Sequence, residues 1–128
     1  MCDWLDNNWN DILQKYPEAK PVLAFFMDYF STCAGRSPFV DILKKAIRGE
    51  GDSLQEISTY LLMNSVVDEG HVVDAAEFYF NGEFDGKVSF KTFASVLELI
   101  ALAYAECNPE NKEEILHFLP RFKQVYGV

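Results

Sequence analysis

Carboxylates are the commonest reactive side chains in this sequence, with twenty Asp and Glu among 128 residues against eleven Lys and Arg. Carboxylates serve as general acids and bases, as metal ligands or as a negative surface, and their spacing decides between these roles. The two histidines, His71 and His117, lie far apart in the chain. No serine or cysteine sits in a nucleophile motif. The glycine-rich stretch GEGDS at 49–53 lacks the lysine and the preceding strand of a phosphate loop. With this many acids, a glycosidase-like pair arises by coincidence more often than by mechanism. The residues point away from an enzyme and imply no cofactor.

One metal motif needs weighing. From Asn81 to Thr92 the chain lines up with a calcium loop: Asn81, Glu83 and Asp85 at the first, third and fifth positions, Gly86 at the sixth and Val88 at the eighth. The twelfth position is Thr92, where calcium needs a two-oxygen Glu, and the residues before Asn81 alternate like a strand. A degenerate EF-hand-like module is therefore an alternative, but no metal site is assigned.

The distribution of the acids says more than their number. Net charge is −9, and the segment from Gly49 to Gly86 holds nine acids (Glu50, Asp52, Glu56, Asp68, Glu69, Asp74, Glu77, Glu83 and Asp85) with no Lys or Arg. The rest of the chain is neutral, with eleven charges of each sign. A surface of this kind repels nucleic acid and anionic membranes and attracts a basic protein at long range; its bland alternative is a solvated face with no partner.

The elements that must position these acids follow from periodicity. Trp4, Leu5, Trp9, Ile12, Leu13 and Tyr16 recur at helical spacing until Pro17. Pro21 opens a second helix with Gly35 as its stop, and Ser37 with Pro38 starts a third that Gly49 closes. Ser53 and Glu56 match a capping box, predicting a helix from about Leu54 to Asn64 with Leu54, Ile57, Leu61 and Leu62 inward. Val66–Asp74 reads as a connector. The period then changes to two: Ala76, Phe78 and Phe80 alternate with Glu77, Tyr79 and Asn81, and Val88 and Phe90 alternate after them.

A three-residue loop, Phe84-Asp85-Gly86, joins these strands and sets Glu83 opposite Lys87, Asn81 opposite Ser89 and Phe80 opposite Phe90. One face is then apolar, and the other is an open face of Glu77, Tyr79, Asn81, Glu83 and Lys87. Ser89 caps a helix over Lys91–Glu106 that is apolar almost all round. Asn108 and Pro109 start the last helix, which Pro120 should kink or interrupt.

The expected fold is one α+β domain over 1–128, mostly helical with about six helices and one small antiparallel β-hairpin packed on a central apolar helix. Cys2, Cys33 and Cys107 are too few and too widely spaced for a disulfide framework or zinc site, and Cys33 and Cys107 read as small core residues. The start, MCDWLDNNWND, is acidic and lacks the pattern of a signal peptide. The longest apolar run, Val22–Met27, is too short for a membrane span, so a cytoplasmic location is expected.

The candidate partner-binding residues are Asp68, Glu69, Glu77, Tyr79, Glu83, Phe84 and Asp85. The acids supply charge; Tyr79 and Phe84 supply aromatic anchors, unless Tyr79 merely packs across strands and Phe84 is a half-buried loop residue. Partners with basic active sites, above all nucleases, fit this surface. An acidic nucleic-acid mimic that inhibits a host or phage DNA- or RNA-binding enzyme is the alternative.

The stretch VDAAEFYFNGEFDGKVSFKTFASVLELIALAYAECNPENKEEILHFL resembles immunity proteins of bacterial contact-dependent growth inhibition systems, of the type paired with ribonuclease toxins. The residues that carry the likeness are Phe78–Phe80, Asp85-Gly86, Val88-Ser89-Phe90 and Asn108-Pro109-Glu110. PVLAFFMDYF and SPFVDILKKAI stand where that family has its N-terminal helices. The resemblance implies a cytosolic antitoxin without enzymatic activity. It would be a monomer that forms a 1:1 heterodimer with the C-terminal nuclease domain of its cognate toxin and covers the RNA-cleaving site. It transfers no individual toxin-binding residue.

Overall fold

A proline has no N–H to give and restricts the residue before it, so Pro17 stops the first helical run and Pro21 starts the next one. In the computed structural model, which describes residues 1–32, 36–55 and 57–128 with the Cys2 side chain excepted, these runs are α1 (Cys2–Lys15) and α2 (Lys20–Ser31). The third helix, α3 (Phe39–Ile47), begins one residue later than its Ser37-Pro38 signal suggests. Pro38 is itself the cap, and its carbonyl accepts from Asp41 N–H at 2.9 Å. The Gly35 stop lies outside the described residues, and α2 is already finished at Ser31.

The expected helix over Leu54–Asn64 is absent. Two short strands replace it, β1 (Asp52–Leu54) and β2 (Ser58–Leu61), paired antiparallel with Ser53 opposite Thr59. Burial explains the difference. Leu54, Ser58, Tyr60 and Leu62 are buried and Ile57 and Met63 are exposed, so the inward set runs at every second residue in β2, not at helical spacing. The chain turns at Gln55, which adopts a left-handed φ of 50°. Ser53 caps nothing; its hydroxyl meets Thr59 Oγ1 across the strands at 3.0 Å, and its supposed capping partner Glu56 lies outside the described residues.

Then come β3 (Ala76–Phe80) and β4 (Glu83–Val88), and the four strands form one antiparallel sheet in the order β1-β2-β3-β4. Ser89 caps α4 (Phe90–Cys107) by accepting from Thr92 N–H at 3.1 Å. Pro109 is in the first turn of α5 (Pro109–Tyr126), which continues through Pro120 without interruption. The fold is thus α+β and mostly helical, with five helices among the described residues and a four-stranded sheet in place of a lone hairpin. None of these helices is long and apolar enough to cross a membrane.

The inner face of the sheet meets the helices through aromatic rings. Tyr60, wholly buried, has its ring 4.8 Å from Phe25 of α2, 5.6 Å from Phe78 of β3 and 5.4 Å from Phe93 of α4. Phe39 stacks on Tyr104 at 4.5 Å to tie α3 to α4, and Ile115, Leu119 and Phe122 bury the inner side of α5. Cys107, at the last residue of α4, is exposed and does not belong to this core. At the far end Tyr126 donates its hydroxyl to the Ala46 carbonyl at 2.6 Å.

Two predictions follow from the packing. A Cβ on Gly51 would lie 1.8 Å from the Tyr60 carbonyl oxygen, a collision between two backbones that no side-chain shift relieves. Gly51→Ala should therefore cost about 2–4 kcal/mol in urea unfolding, whereas Gly70→Ala, which meets no neighbour but has a positive φ, should cost about 1 kcal/mol. Burial also lifts the Tyr126 phenol from its ordinary 10.0 to about 12 and the Tyr29 and Tyr60 phenols well above theirs. The unfolded chain ionises these groups first, so their stabilising effect is complete below about pH 10 and declines as pH rises toward the folded values. Unfolding midpoints should fall between about pH 10 and about pH 12, and less steeply in Tyr126→Phe. Equal slopes in the two proteins would contradict this.

Candidate functional site

Asn81 and Gly82 join β3 to β4 in a two-residue turn with both residues at positive φ, 52° and 78°. Such a turn matches the strand twist and favours the Asn-Gly pair. It pairs Phe80 with Glu83 and Tyr79 with Phe84. This overturns the expected Phe84-Asp85-Gly86 loop and its pairing of Glu83 with Lys87, Asn81 with Ser89 and Phe80 with Phe90. A two-residue turn alone would put Asp85 opposite Phe78 on the apolar face. The sheet escapes this through a bulge: Asp85 is an extra residue, Phe78 pairs with Gly86, and Val88 returns to the inner face opposite Ala76. Gly86 also admits Pro21 of α2, whose Cγ would lie 3.1 Å from a Cβ there.

Alternation now assigns the faces. Ser53, Thr59, Tyr79 and Phe84 form one row across the outer face, and Leu61, Glu77 and Lys87 form the next. Glu83 instead shares the inner row of Leu54, Ser58 and Phe80 at the turn end of the sheet. The predicted open face of Glu77, Tyr79 and Glu83 therefore does not exist as one surface.

Glu77 departs furthest from expectation. Its residue is 1% exposed, because the connector over 66–74 folds across the outer face. The same carboxylate oxygen, Oε1, accepts from the Tyr79 hydroxyl at 2.8 Å and meets His71 Nε2 at 2.9 Å. The hydrogen bond to Glu77 raises the Tyr79 phenol above its ordinary pKa. A recess of ≈ 430 Å³ lies beside this triad, lined by Leu61, Val66, Val67, Asp68, His71 and Tyr79. Glu77 is therefore a clasp for the connector and is closed to a partner.

Several other acids are matched locally: Glu50 with Arg48 at 3.0 Å, Asp52 with Lys45 at 3.1 Å and Asp74 with Lys87 at 3.2 Å. Lys87 holds the Asp74 carboxyl below its ordinary pKa. Among the described residues, the acids of the segment that are exposed and without an ion pair are Asp68, Glu69, Glu83 and Asp85. Phe84 stands between the last two at 57% exposure, its ring edge-on to Tyr79 at 5.6 Å.

Two residues of this surface were missed by sequence reasoning. Phe80, expected in the core, is 49% exposed, and Ile57, expected inside a helix, is 45% exposed. Both belong to the turn end of the sheet, where the Ile57 carbonyl accepts from Asn81 N–H at 2.7 Å. The signal that locates them is the Asn-Gly pair, which fixes where the hairpin ends. The turn end thus carries exposed apolar side chains on both sheet faces, with uncompensated acids beside them.

The calcium-loop alternative requires a helix before Asn81, and β3 occupies that place. Among the described residues no group of three His, Cys, Asp or Glu is arranged to hold a metal ion. Comparison with protein-family models, curated proteins and solved structures finds no match to this chain.

The clasp has a direct test. His71→Ala leaves the buried Glu77 carboxylate with Tyr79 as its one donor, and should cost about 1 kcal/mol, since His71 is itself partly exposed. Hydrogen exchange at 66–73 should quicken at the same time. Unchanged exchange there would mean that the connector is held by something else.

Proposed function

We propose that this chain is a binding protein that neutralises a basic protein partner through the turn end of its sheet. Its specific role, on this reading, is that of an immunity protein for a ribonuclease toxin. The observation that carries the reading is Phe84, more than half exposed between Glu83 and Asp85, two carboxylates with no countercharge. An exposed aromatic costs solvation free energy that burial against a partner recovers, and aromatics are the usual centres of interface energy. Carboxylates at its flanks raise the rate of encounter with a cationic groove and disfavour neutral or acidic partners. The grooves of ribonucleases are cationic because they bind phosphate. The resemblance of 73–119 to ribonuclease-toxin immunity proteins points to the same partner class. A cytoplasmic site of action and a 1:1 complex belong to this proposal.

The experiment is a kinetic dissection against a ribonuclease toxin domain, taken from the gene beside this chain's own if one is encoded there. Glu83→Lys combined with Asp85→Lys should slow association about tenfold or more at low salt and change dissociation little. Phe84→Ala should instead speed dissociation by about tenfold or more, in line with loss of a central aromatic contact. Both variants alter exposed positions and should retain wild-type circular dichroism. Wild-type kinetics in both would place the interface elsewhere, and absence of such a domain, or its failure to bind at all, would remove the antitoxin role.

A further inference from the structure

One cleft of this acidic protein is lined by cations, with Glu110, Glu113 and Glu114 in the recess that adjoins it. Between α3 and α5 lies an open cleft of ≈ 680 Å³ whose lining includes Lys44, Arg48, His117, Phe118, Pro120 and Arg121, and none of its lining residues is acidic. The sequence places these groups together. Lys44 and Arg48 are four apart at the end of α3, and His117 and Arg121 are four apart on α5, so each pair shares a helix face. The aromatic ring of Phe118 already faces one cation: Lys44 Nζ stands 5.4 Å from its centroid, and the His117 ring lies edge-on at 5.2 Å.

The cations here are weakly committed. Lys44 reaches Glu114 at 3.5 Å with both side chains at least 40% exposed, and Arg48 pairs with Glu50 at the surface. Exposed pairs of this kind contribute little and exchange readily for a better anion. Arg121 has no carboxylate within ion-pair distance among the described residues. Its planar fork suits the oxygens of a phosphate. Pro120, inside the helix, has no N–H for the Leu116 carbonyl and adds an apolar ring to the cleft.

We propose that the α3–α5 cleft binds a mononucleotide, its phosphate held by Arg121 with Lys44 and Arg48 and its base against Phe118 and Pro120. The cleft volume lies within the range of small-ligand sites, and its lining combines both halves of that chemistry. A net charge of −9 repels a long polyanion over many ångströms but opposes a single small anion far less, which selects a mononucleotide over a nucleic-acid strand. The site shares no residue with the turn end of the sheet, so it stands or falls independently of the proposed partner.

Titration of the ¹⁵N-labelled chain with AMP, adenosine and inorganic phosphate, at about 0.1 M salt, tests this. AMP should shift the amides around Lys44, Phe118 and Arg121 with a Kd below about 1 mM, and adenosine and phosphate should each bind at least about tenfold more weakly. Arg121→Ala, at an exposed position, should weaken AMP about tenfold, and Phe118→Leu should weaken it several-fold while leaving phosphate unchanged. Absence of saturable shifts to about 10 mM AMP, or shifts centred away from the cleft, would overturn the proposal. Phosphate binding as tightly as AMP would also overturn it, because the aromatic half would then contribute nothing. Unaltered AMP binding by Arg121→Ala counts against it in the same way.

Discussion

Tyr60 is the point through which the two halves of this molecule are joined. Its ring is fully buried among Phe25, Phe78 and Phe93, one from α2, one from β3 and one from α4. Large aromatic side chains bury the most apolar surface per residue, and a set packed edge-to-face and offset leaves little freedom to slide. The inner row Asp52, Tyr60, Phe78 and Gly86 is held by this contact, and every other row of the sheet takes its face from it. A one-residue slip would turn Thr59 and Tyr79 inward and Tyr60 outward. The position of Phe84 on the outer face therefore depends on a ring buried two strands away.

The turn end of the sheet is what this constraint leaves over. Leu54, Ser58, Phe80 and Glu83 form the last inner row, and burial falls along it from Leu54 and Ser58 to the exposed Phe80 and Glu83. The tight Asn81-Gly82 turn and the Asp85 bulge then fix the path of β4, so that Glu83, Phe84 and Asp85 are presented by a paired strand. A rigid strand loses less entropy on binding than a loop would, which suits the docking proposed for this surface. The Glu77 clasp adds to this, because it seats the connector bearing Asp68 and Glu69 against the same outer face.

Much of the helical frame was legible in the sequence, because its punctuation is chemical. Pro17, Pro21, Ser89 and Pro109 mark boundaries that the structure keeps within a residue or two. The strands β1 and β2 were not legible. Ser53 and Glu56 satisfy a local helix rule, yet the segment is settled by non-local burial of Leu54, Ser58 and Tyr60. The hairpin register failed for a related reason. A continuous ladder needs the longer loop to bring the apolar residues onto one face, and a bulge satisfies the same apolar pattern with a shorter turn. The candidate site was legible as composition only. Counting located the acids between Gly49 and Gly86, but pairing to Arg48, Lys45, Lys87 and His71 depends on geometry, and it reduced that surplus to a few positions.

The central claim is that a basic protein docks on the turn end of the sheet. Its most direct measurement is the footprint of the proposed complex: backbone amide hydrogen exchange of this chain, alone and bound to a ribonuclease toxin domain that it inhibits. The account predicts slowed exchange concentrated at 57–59 and 79–86, with a smaller effect at 68–69. Protection confined to α4 and α5, with 79–86 unchanged, would contradict it.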